Sequence, residues 1–175
     1  MIIGVYGISG VGKTTFSKKL QERYPCVSRF SASELIAKFN GVIDYDNLEC
    51  DSVIENQLKL IKAMEIISNE KNYKNVVIEL HNVIETKEGL IFIDDYYLKR
   101  LGLDKSFFLK KDPKLIYSNR MADVKKRHSA NVNEIDNIQN KSLDRFIELY
   151  NNVGESIISG VDEDISSFSE LFGKC

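Results

Sequence analysis

Length, composition and charge set the first limits on what this chain can be. It has 175 residues, of which 43% are hydrophobic and 29% charged, so it can bury a core and lacks the composition of a disordered chain. The formal net charge of −2 argues against a dedicated nucleic-acid-binding protein, because such proteins carry a basic excess. No apolar run approaches the roughly 20 residues that span a bilayer, and the first residues lack the basic region of a secretion signal. We therefore expect one cytoplasmic domain with no membrane and no nucleic-acid partner.

The three cysteines, Cys26, Cys50 and Cys175, are widely and irregularly spaced. They form no CxxC pair and no cluster with the two histidines, so the sequence indicates neither a zinc site nor a disulfide framework. We expect reduced thiols, as is usual in the cytoplasm.

Short β-rich runs alternate with longer helical stretches along the chain. The sequence predicts strands at 2–6, 26–30, 76–78, 106–109 and 157–158. It predicts helices at 13–23, 33–39, 51–69, from 113 onward, along a stripe from 135 to 153, and at 166–172. Because helices between strands imply crossover connections, we expect an α/β fold, a three-layer α/β/α sandwich with a parallel sheet of about five strands.

The segment after the first predicted strand has the pattern of a phosphate-binding loop. Residues 7–14 read GISGVGKT and match GxxxxGK[ST] at every fixed position, between a predicted strand and a predicted helix. Glycines let the backbone curl so that successive N–H groups point at phosphate oxygens, at the positive end of a helix. Lys13 would bridge the β- and γ-phosphates, the Thr14 hydroxyl would ligate Mg²⁺, and Thr15 would reach the α-phosphate. The cofactor-binding candidates are Gly7, Ser9, Gly10, Val11, Gly12, Lys13, Thr14 and Thr15; the alternative is an ordinary Gly-rich turn.

An acidic residue at the end of a second strand completes this pattern. Residues 76–79 read VVIE, so Glu79 ends a hydrophobic strand, where P-loop proteins place the acid that holds the metal, often through water. A surface glutamate at a strand end is the structural alternative. Together, Thr14 and Glu79 predict a Mg²⁺–nucleotide site.

Two further patterns separate a kinase from a GTPase. The sequence has no guanine-reading NKxD, because residues 140–143 read NKSL inside a predicted helix, and no DxxG follows Glu79. Residues 120–128 read RMADVKKRH, a basic segment after a predicted helix. Phosphoryl transfer between small molecules needs cations that close over the transferring group and exclude water. This segment favours a kinase with a short lid; a solvated basic face between two helices is the alternative.

In this order, the segments resemble the small P-loop nucleotide kinases, specifically the archaeal-type adenylate kinases and their uncharacterised bacterial ATP-binding relatives. The similar segments are the loop at 7–15, FSASEL at 30–35, VIELH at 77–81, the lid at 120–128 and the following helix with Gln139. The resemblance implies a P-loop NTPase of the nucleoside monophosphate kinase-like fold, with ATP and Mg²⁺ as cofactors and a small-molecule acceptor of the nucleotide class. It places an acceptor-binding segment at about 31–70 and a short lid at about 120–131 within one domain, 1–175. It is also compatible with homo-oligomers.

The resemblance also assigns roles to individual residues. Arg120, Lys126 and Arg127 would act with Lys13 in catalysis, and Arg120 would also contact the donor nucleotide. The acceptor would be held by Ser31, Ser33, Glu34, Gln57, Lys62 and His81. Glu79 stands where the family has Asp, and Lys126 and His128 stand where Arg is usual. Because lysine is a point charge and histidine can be neutral at pH 7, these departures weaken the expected lid.

Three functions are open at this point. The leading prediction is a P-loop kinase that transfers the γ-phosphoryl group of MgATP to a nucleoside monophosphate or a similar small acceptor. The first alternative is an ATP-binding regulatory or slow-ATPase protein that retains the kinase scaffold. The second is a structural module with a relict P-loop.

Overall fold

The fold is a five-stranded parallel sheet between helical layers, observed in a computed structural model that describes residues 1–39, 50–86, 88–123, 130–150, 156–159 and 165–172. The strands are β1 (Ile2–Tyr6), β2 (Val27–Ser31), β3 (Asn75–Glu79), β4 (Val83–Thr86), β5 (Gly89–Phe92), β6 (Lys105–Lys110) and β7 (Ser156–Ser159). The helices are α1 (Lys13–Arg23), α2 (Ala32–Lys38), α3 (Cys50–Asn69), α4 (Asp95–Lys99), α5 (Pro113–Ala122), α6 (Val132–Tyr150) and α7 (Ser169–Phe172), with a 3-10 helix at Ile165–Phe168.

The strand order of the sheet explains where a ligand site can form. The order is β2-β3-β1-β6-β7, and every neighbouring pair is parallel. The chain builds one half of the sheet through β2 and β3 and then crosses to the other side of β1 with β6. In open α/β sheets, ligands bind at the carboxyl ends of the strands where the order reverses in this way. The loop that follows β1 therefore lies at the expected position for a binding site.

Two apolar clusters cover the opposite faces of the sheet. Side chains alternate along β1, so that Ile2 and Tyr6 belong to one cluster, whereas Ile3 and Val5 belong to the other. The first cluster includes residues of α2 and α3, and the second includes Phe16 and its neighbours on α1. This arrangement confirms the predicted three-layer α/β/α sandwich.

The predicted elements are confirmed within one to a few residues at their ends, but two units were not predicted, the short helix α4 and a hairpin of β4 and β5. In this hairpin β4 and β5 run antiparallel, so that Val83 pairs with Phe92 and Glu85 with Leu90. The hairpin follows β3 directly, so it rises from the same edge of the sheet as the loop after β1. Its base is fixed to α6, because the fully buried Asn82 donates to the Ser142 carbonyl at 2.7 Å and accepts from the Ser142 hydroxyl at 2.6 Å.

The expectation of three reduced thiols is wrong for Cys26, which is disulfide-bonded in the structure. Its sulfur also accepts a hydrogen bond from the Asn75 side chain at 3.3 Å. Irregular spacing along the sequence carries no information about which cysteines the fold brings together, and this is why the bond could not be predicted.

Among the helices that the structure describes, none is both long enough and apolar enough to cross a bilayer.

Candidate functional site

The loop between β1 and α1 has a tightly turned backbone, with open space beside Gly12. Gly10 and Gly12 have φ angles of 82° and 107°, a region that side chains rarely adopt. A Cβ atom at Gly10 would lie 2.7 Å from Cγ of Arg120, whereas a Cβ atom at Gly12 would meet nothing within 4 Å. Gly10 is therefore required by close packing against α5, and Gly12 by a backbone turn that faces open space.

The first turn of α1 is left available to an anion. Gly12 is the N-cap residue, and neither a side-chain cap nor an acidic residue occupies this helix start. The first amides of a helix carry partial positive charge and need acceptors, so this end suits a phosphate group. Lys13 adds a cation here: it is buried, and its Nζ donates to the carbonyl oxygens of Gly7 at 2.6 Å and Ile8 at 3.1 Å. These groups fit the phosphates of a nucleotide.

The end of β3 brings an acidic group against α1, as the sequence predicts. Glu79 is only 5% exposed, and its Oε2 accepts a hydrogen bond from the Thr14 hydroxyl at 2.6 Å. Its Oε1 accepts from the Ser17 hydroxyl at 2.5 Å and from Nη1 of Arg29 at 2.9 Å. The carboxylate is thus held by two hydroxyl groups and one guanidinium group.

The pairing of a threonine hydroxyl with a carboxylate suits Mg²⁺, which prefers oxygen ligands and keeps several waters. Among the described residues, no group of three or more His, Cys, Asp or Glu side chains is placed to hold a metal by itself. Mg²⁺ would therefore be shared between Thr14, Glu79, nucleotide phosphate oxygens and water. When bound, the metal would neutralise charge on the phosphates.

Arg120 lies against the phosphate-binding loop, but its charge is already paired. Its Nε donates to the Ser9 carbonyl at 2.9 Å, and its two terminal nitrogens donate to Glu85 on β4 at 2.8 and 2.7 Å. The Arg120 side chain is 2% exposed and that of Glu85 14%. The neighbouring Asn119 donates to the Gly10 carbonyl at 2.9 Å. In this arrangement α5 contacts the phosphate-binding loop directly, the hairpin contacts Arg120, and the guanidinium group of Arg120 is bound to a carboxylate.

Three of the predicted acceptor residues meet at the start of α2. The Ser31 hydroxyl accepts from the Glu34 amide at 3.2 Å, while Glu34 accepts from the Ser31 amide at 2.9 Å, which forms a capping box. The hydroxyl groups of Ser31 and Ser33 lie 3.1 Å apart. Since Ser31 pairs with Glu79 across the sheet, this group adjoins the predicted metal position.

The charge of Glu34 is favoured by its surroundings. Partial burial by itself would raise the pKa of this carboxyl group, but hydrogen bonds with Ser31 and the positive charges of Arg29 and Lys38 lower it below its usual value.

The other predicted acceptor residues are more dispersed. Gln57 is buried on α3 and lines a cavity of about 250 Å³ between this helix and residues 91–97. His81 follows β3, two residues after Glu79. Lys62 is exposed on α3, five residues from Gln57, so the two side chains project in different directions. The structure therefore does not bring Lys62 and Gln57 to one site.

Part of the predicted lid lies outside the described residues. This applies to Lys126, Arg127 and His128, and their predicted roles stay predictions. The sequence reasoning also missed four contributors, namely Ser17, Arg29, Glu85 and Asn119. Ser17 could have been found, because it lies one helical turn after Thr14. Arg29 carried a weaker signal, a charged residue between Val27 and Phe30 in a predicted strand.

Comparison with protein families gives a match over most of this chain. Residues 6–139 match the family described as AAA domain, a stretch that includes the phosphate-binding loop, Glu79 and Arg120. The chain belongs to the AAA domain family. Over 132 residues it is 26% identical to disease resistance protein RPS5 of Arabidopsis thaliana. The matched stretch covers 70% of this chain but only 14% of that protein. This AAA domain chain thus spans about one seventh of the length of the curated relative that it matches.

Solved structures with the same fold include kinases. A shikimate kinase from Bacteroides thetaiotaomicron matches with a TM-score of 0.63 at 16% identity, over 98% of this chain and 97% of that one. A shikimate kinase from Acinetobacter baumannii in complex with shikimate has a TM-score of 0.59 at 18% identity, over 97% and 89%. The tunicamycin resistance protein of Deinococcus radiodurans has a TM-score of 0.61 at 17% identity, over 99% and 96%. The chain therefore has a P-loop kinase fold, and the nucleoside monophosphate kinase-like fold class is confirmed. The finer resemblance to archaeal-type adenylate kinases stays a prediction.

Proposed function

We propose that this chain is an ATP-dependent phosphotransferase, which moves the γ-phosphoryl group of MgATP to a nucleoside monophosphate or a similar small acceptor. The observation that carries the proposal is the junction of β1, α1 and β3. There, an open helix start, a buried lysine and the Thr14–Glu79 contact come together. These are the groups that hold the phosphates and metal of a nucleotide.

The reaction requires positioning more than covalent chemistry. An acceptor oxygen would attack the γ-phosphorus while the bond to the β–γ bridging oxygen breaks, ADP leaves, and the acceptor proton passes to solvent or to a base. Lys13 would hold the donor phosphates, and Arg120 would keep the loop in shape through the Ser9 carbonyl. The acceptor would enter over the segment at 31–70, and the lid at 120–131 would exclude water.

A second function is favoured by a specific observation. Two described arginines at the phosphate site already face carboxylates, Arg120 with Glu85 and Arg29 with Glu79. A kinase needs cations free to neutralise the transferring group. An ATP-binding regulatory or slow-ATPase protein would not need them to the same degree. A structural module with a relict loop is the third candidate, although Lys13 and Thr14 are both intact.

An acceptor screen tests the proposal. The protein is incubated with Mg²⁺ and γ-labelled ATP, together with nucleoside monophosphates, nucleosides, or hydroxy acids such as shikimate. Hydroxy acids belong in the panel because a structural neighbour is solved in complex with shikimate. Label that passes to one acceptor class supports the kinase and identifies the acceptor. Label that passes only to water contradicts it and favours the slow ATPase.

A ligand that binds only the folded state must stabilise it. The absence of both a thermal shift with MgATP and any transfer of label would therefore favour the relict module. A cytoplasmic location, the absence of nucleic-acid and membrane partners, and a homo-oligomeric state stay predictions that this screen does not address.

A further inference from the structure

Among the described residues, Arg29 is a charged group that donates a hydrogen bond to the carboxylate of Glu79. Of the three groups that donate to Glu79, Thr14 and Ser17 are neutral hydroxyls, whereas Nη1 of Arg29 carries positive charge at 2.9 Å. Glu79 is 5% exposed, and the side chain of Arg29 is 18% exposed. A buried carboxylate without a counter-ion is costly, so Arg29 stabilises the charge of Glu79 when no metal is present.

A divalent cation would need that same negative charge. Mg²⁺ held beside Thr14 would approach Glu79 either directly or through one water, and it would lie close to the guanidinium group of Arg29. Two cations next to one carboxylate repel each other, and this repulsion is only weakly screened in a partly buried site.

Arg29 has a second carboxylate within reach. Its Nη2 lies 3.8 Å from Oε1 of Glu34, whose side chain is 52% exposed. Glu34 also forms the capping box of α2 with Ser31, and these hydrogen bonds hold it independently of Glu79. Arg29 can therefore leave Glu79 by a small movement towards Glu34 rather than by a displacement into solvent.

We propose that Arg29 is a positioning residue of the Mg²⁺–nucleotide site, acting as the counter-ion of Glu79 in the metal-free protein and exchanging with Mg²⁺ when the metal–nucleotide complex binds. The inference rests on the proposed nucleotide site, but it concerns the metal dependence of binding and does not require phosphoryl transfer. Arg29 thus sets how strongly the protein prefers MgADP over free ADP.

The test measures ADP affinity by calorimetry in Mg²⁺ and in EDTA, for the wild-type protein and for Arg29→Met. The dissociation constant in EDTA divided by the dissociation constant in Mg²⁺ gives the metal dependence of ADP binding. Removing the competing charge should raise this ratio by about tenfold, the scale of one partly buried charge interaction. Arg29→Lys keeps a cation and should stay near the wild-type ratio. Arg23→Met makes the same substitution at an exposed position on α1 and should leave the ratio unchanged.

An unchanged or lower ratio in Arg29→Met would overturn the proposal and leave the kinase proposal intact, since the latter is tested by transfer of label and not by ADP affinity. A second measurement needs no variant. In wild-type protein, the NMR signal of the Arg29 side-chain Nε–H group should shift on addition of MgADP and not on addition of ADP in EDTA. Equal shifts under both conditions would contradict the exchange.

Discussion

The ion pair between Arg120 and Glu85 allows a quantitative test of how the hairpin supports the phosphate-binding loop. We expect Glu85→Ala to destabilise the protein strongly, because it leaves two N–H groups and the charge of a buried guanidinium without a partner. Both hydrogen bonds are short, at 2.8 and 2.7 Å, and the Arg120 side chain is 2% exposed.

Removal of one partner from a buried ion pair costs about 3 to 5 kcal/mol. Because 14% of the Glu85 side chain is exposed, water can reach part of the ion pair. We therefore expect the free energy of unfolding to fall by about 3 kcal/mol, near the lower end of this range. For a chain of this length, that loss corresponds to a fall in Tm of roughly 6 to 12 °C. Urea denaturation followed by circular dichroism measures the free energy of unfolding directly.

The control is Glu88→Ala, the same substitution at an exposed position of the same hairpin. It should change the free energy of unfolding by less than about 0.5 kcal/mol. The double variant Glu85→Ala/Arg120→Met should recover part of the lost stability, since it removes the unpaired charge. If Glu85→Ala were no more destabilising than Glu88→Ala, the pair would not brace the loop and our reasoning would be refuted.

Two further predictions concern the core. The pKa of Tyr6 is raised well above its usual value, mainly by burial and then by the charge of Tyr150 and the hydrogen bond to it. Above about pH 10 this tyrosine therefore ionises in the unfolded chain only, and the free energy of unfolding should fall as the pH rises. In Tyr6→Phe this fall, measured as the urea midpoint from pH 8 to 11, should be shallower, and an equal slope would contradict the assignment. Asn82→Ala removes two buried hydrogen bonds to Ser142 and should cost about 2 kcal/mol and increase hydrogen exchange in the hairpin. The exposed Asn140→Ala on α6, the helix that carries Ser142, should do neither, and equal exchange in both variants would mean that Asn82 does not anchor the hairpin.

The sequence predicted the parts of the fold that local patterns determine. The strand at Ile2–Tyr6 is a short apolar run, as burial on both faces requires. The long helix at Val132–Tyr150 has an apolar stripe, as burial of one face requires. The hairpin at 83–92 was missed because its two strands have only four residues each. Short strands are stabilised mainly by their neighbours in space, here the Asn82–Ser142 contacts and the Glu85–Arg120 pair.

The candidate site likewise contains residues that the sequence predicts and residues that it does not. Lys13, Thr14 and Glu79 could be predicted, because their roles follow from a loop pattern and from a strand that ends in an acid. The partners of Glu79 could not, since they depend on the register of the sheet. Arg29 pairs with Val77, two residues before the Ser31–Glu79 pair, and this register brings its side chain to the carboxylate.

The most direct test of the central claim is label transfer from γ-labelled ATP by the wild-type protein and by Lys13→Ala. Circular dichroism and Tm establish that the variant is folded, and Lys18→Ala, an exposed lysine on the same helix, is the matched control. Loss of one preorganised cation at the transferring group should lower the transfer rate at least about 100-fold in Lys13→Ala and leave it unchanged in Lys18→Ala. Transfer at the wild-type rate by a folded Lys13→Ala protein would contradict the assignment of this loop as the donor site.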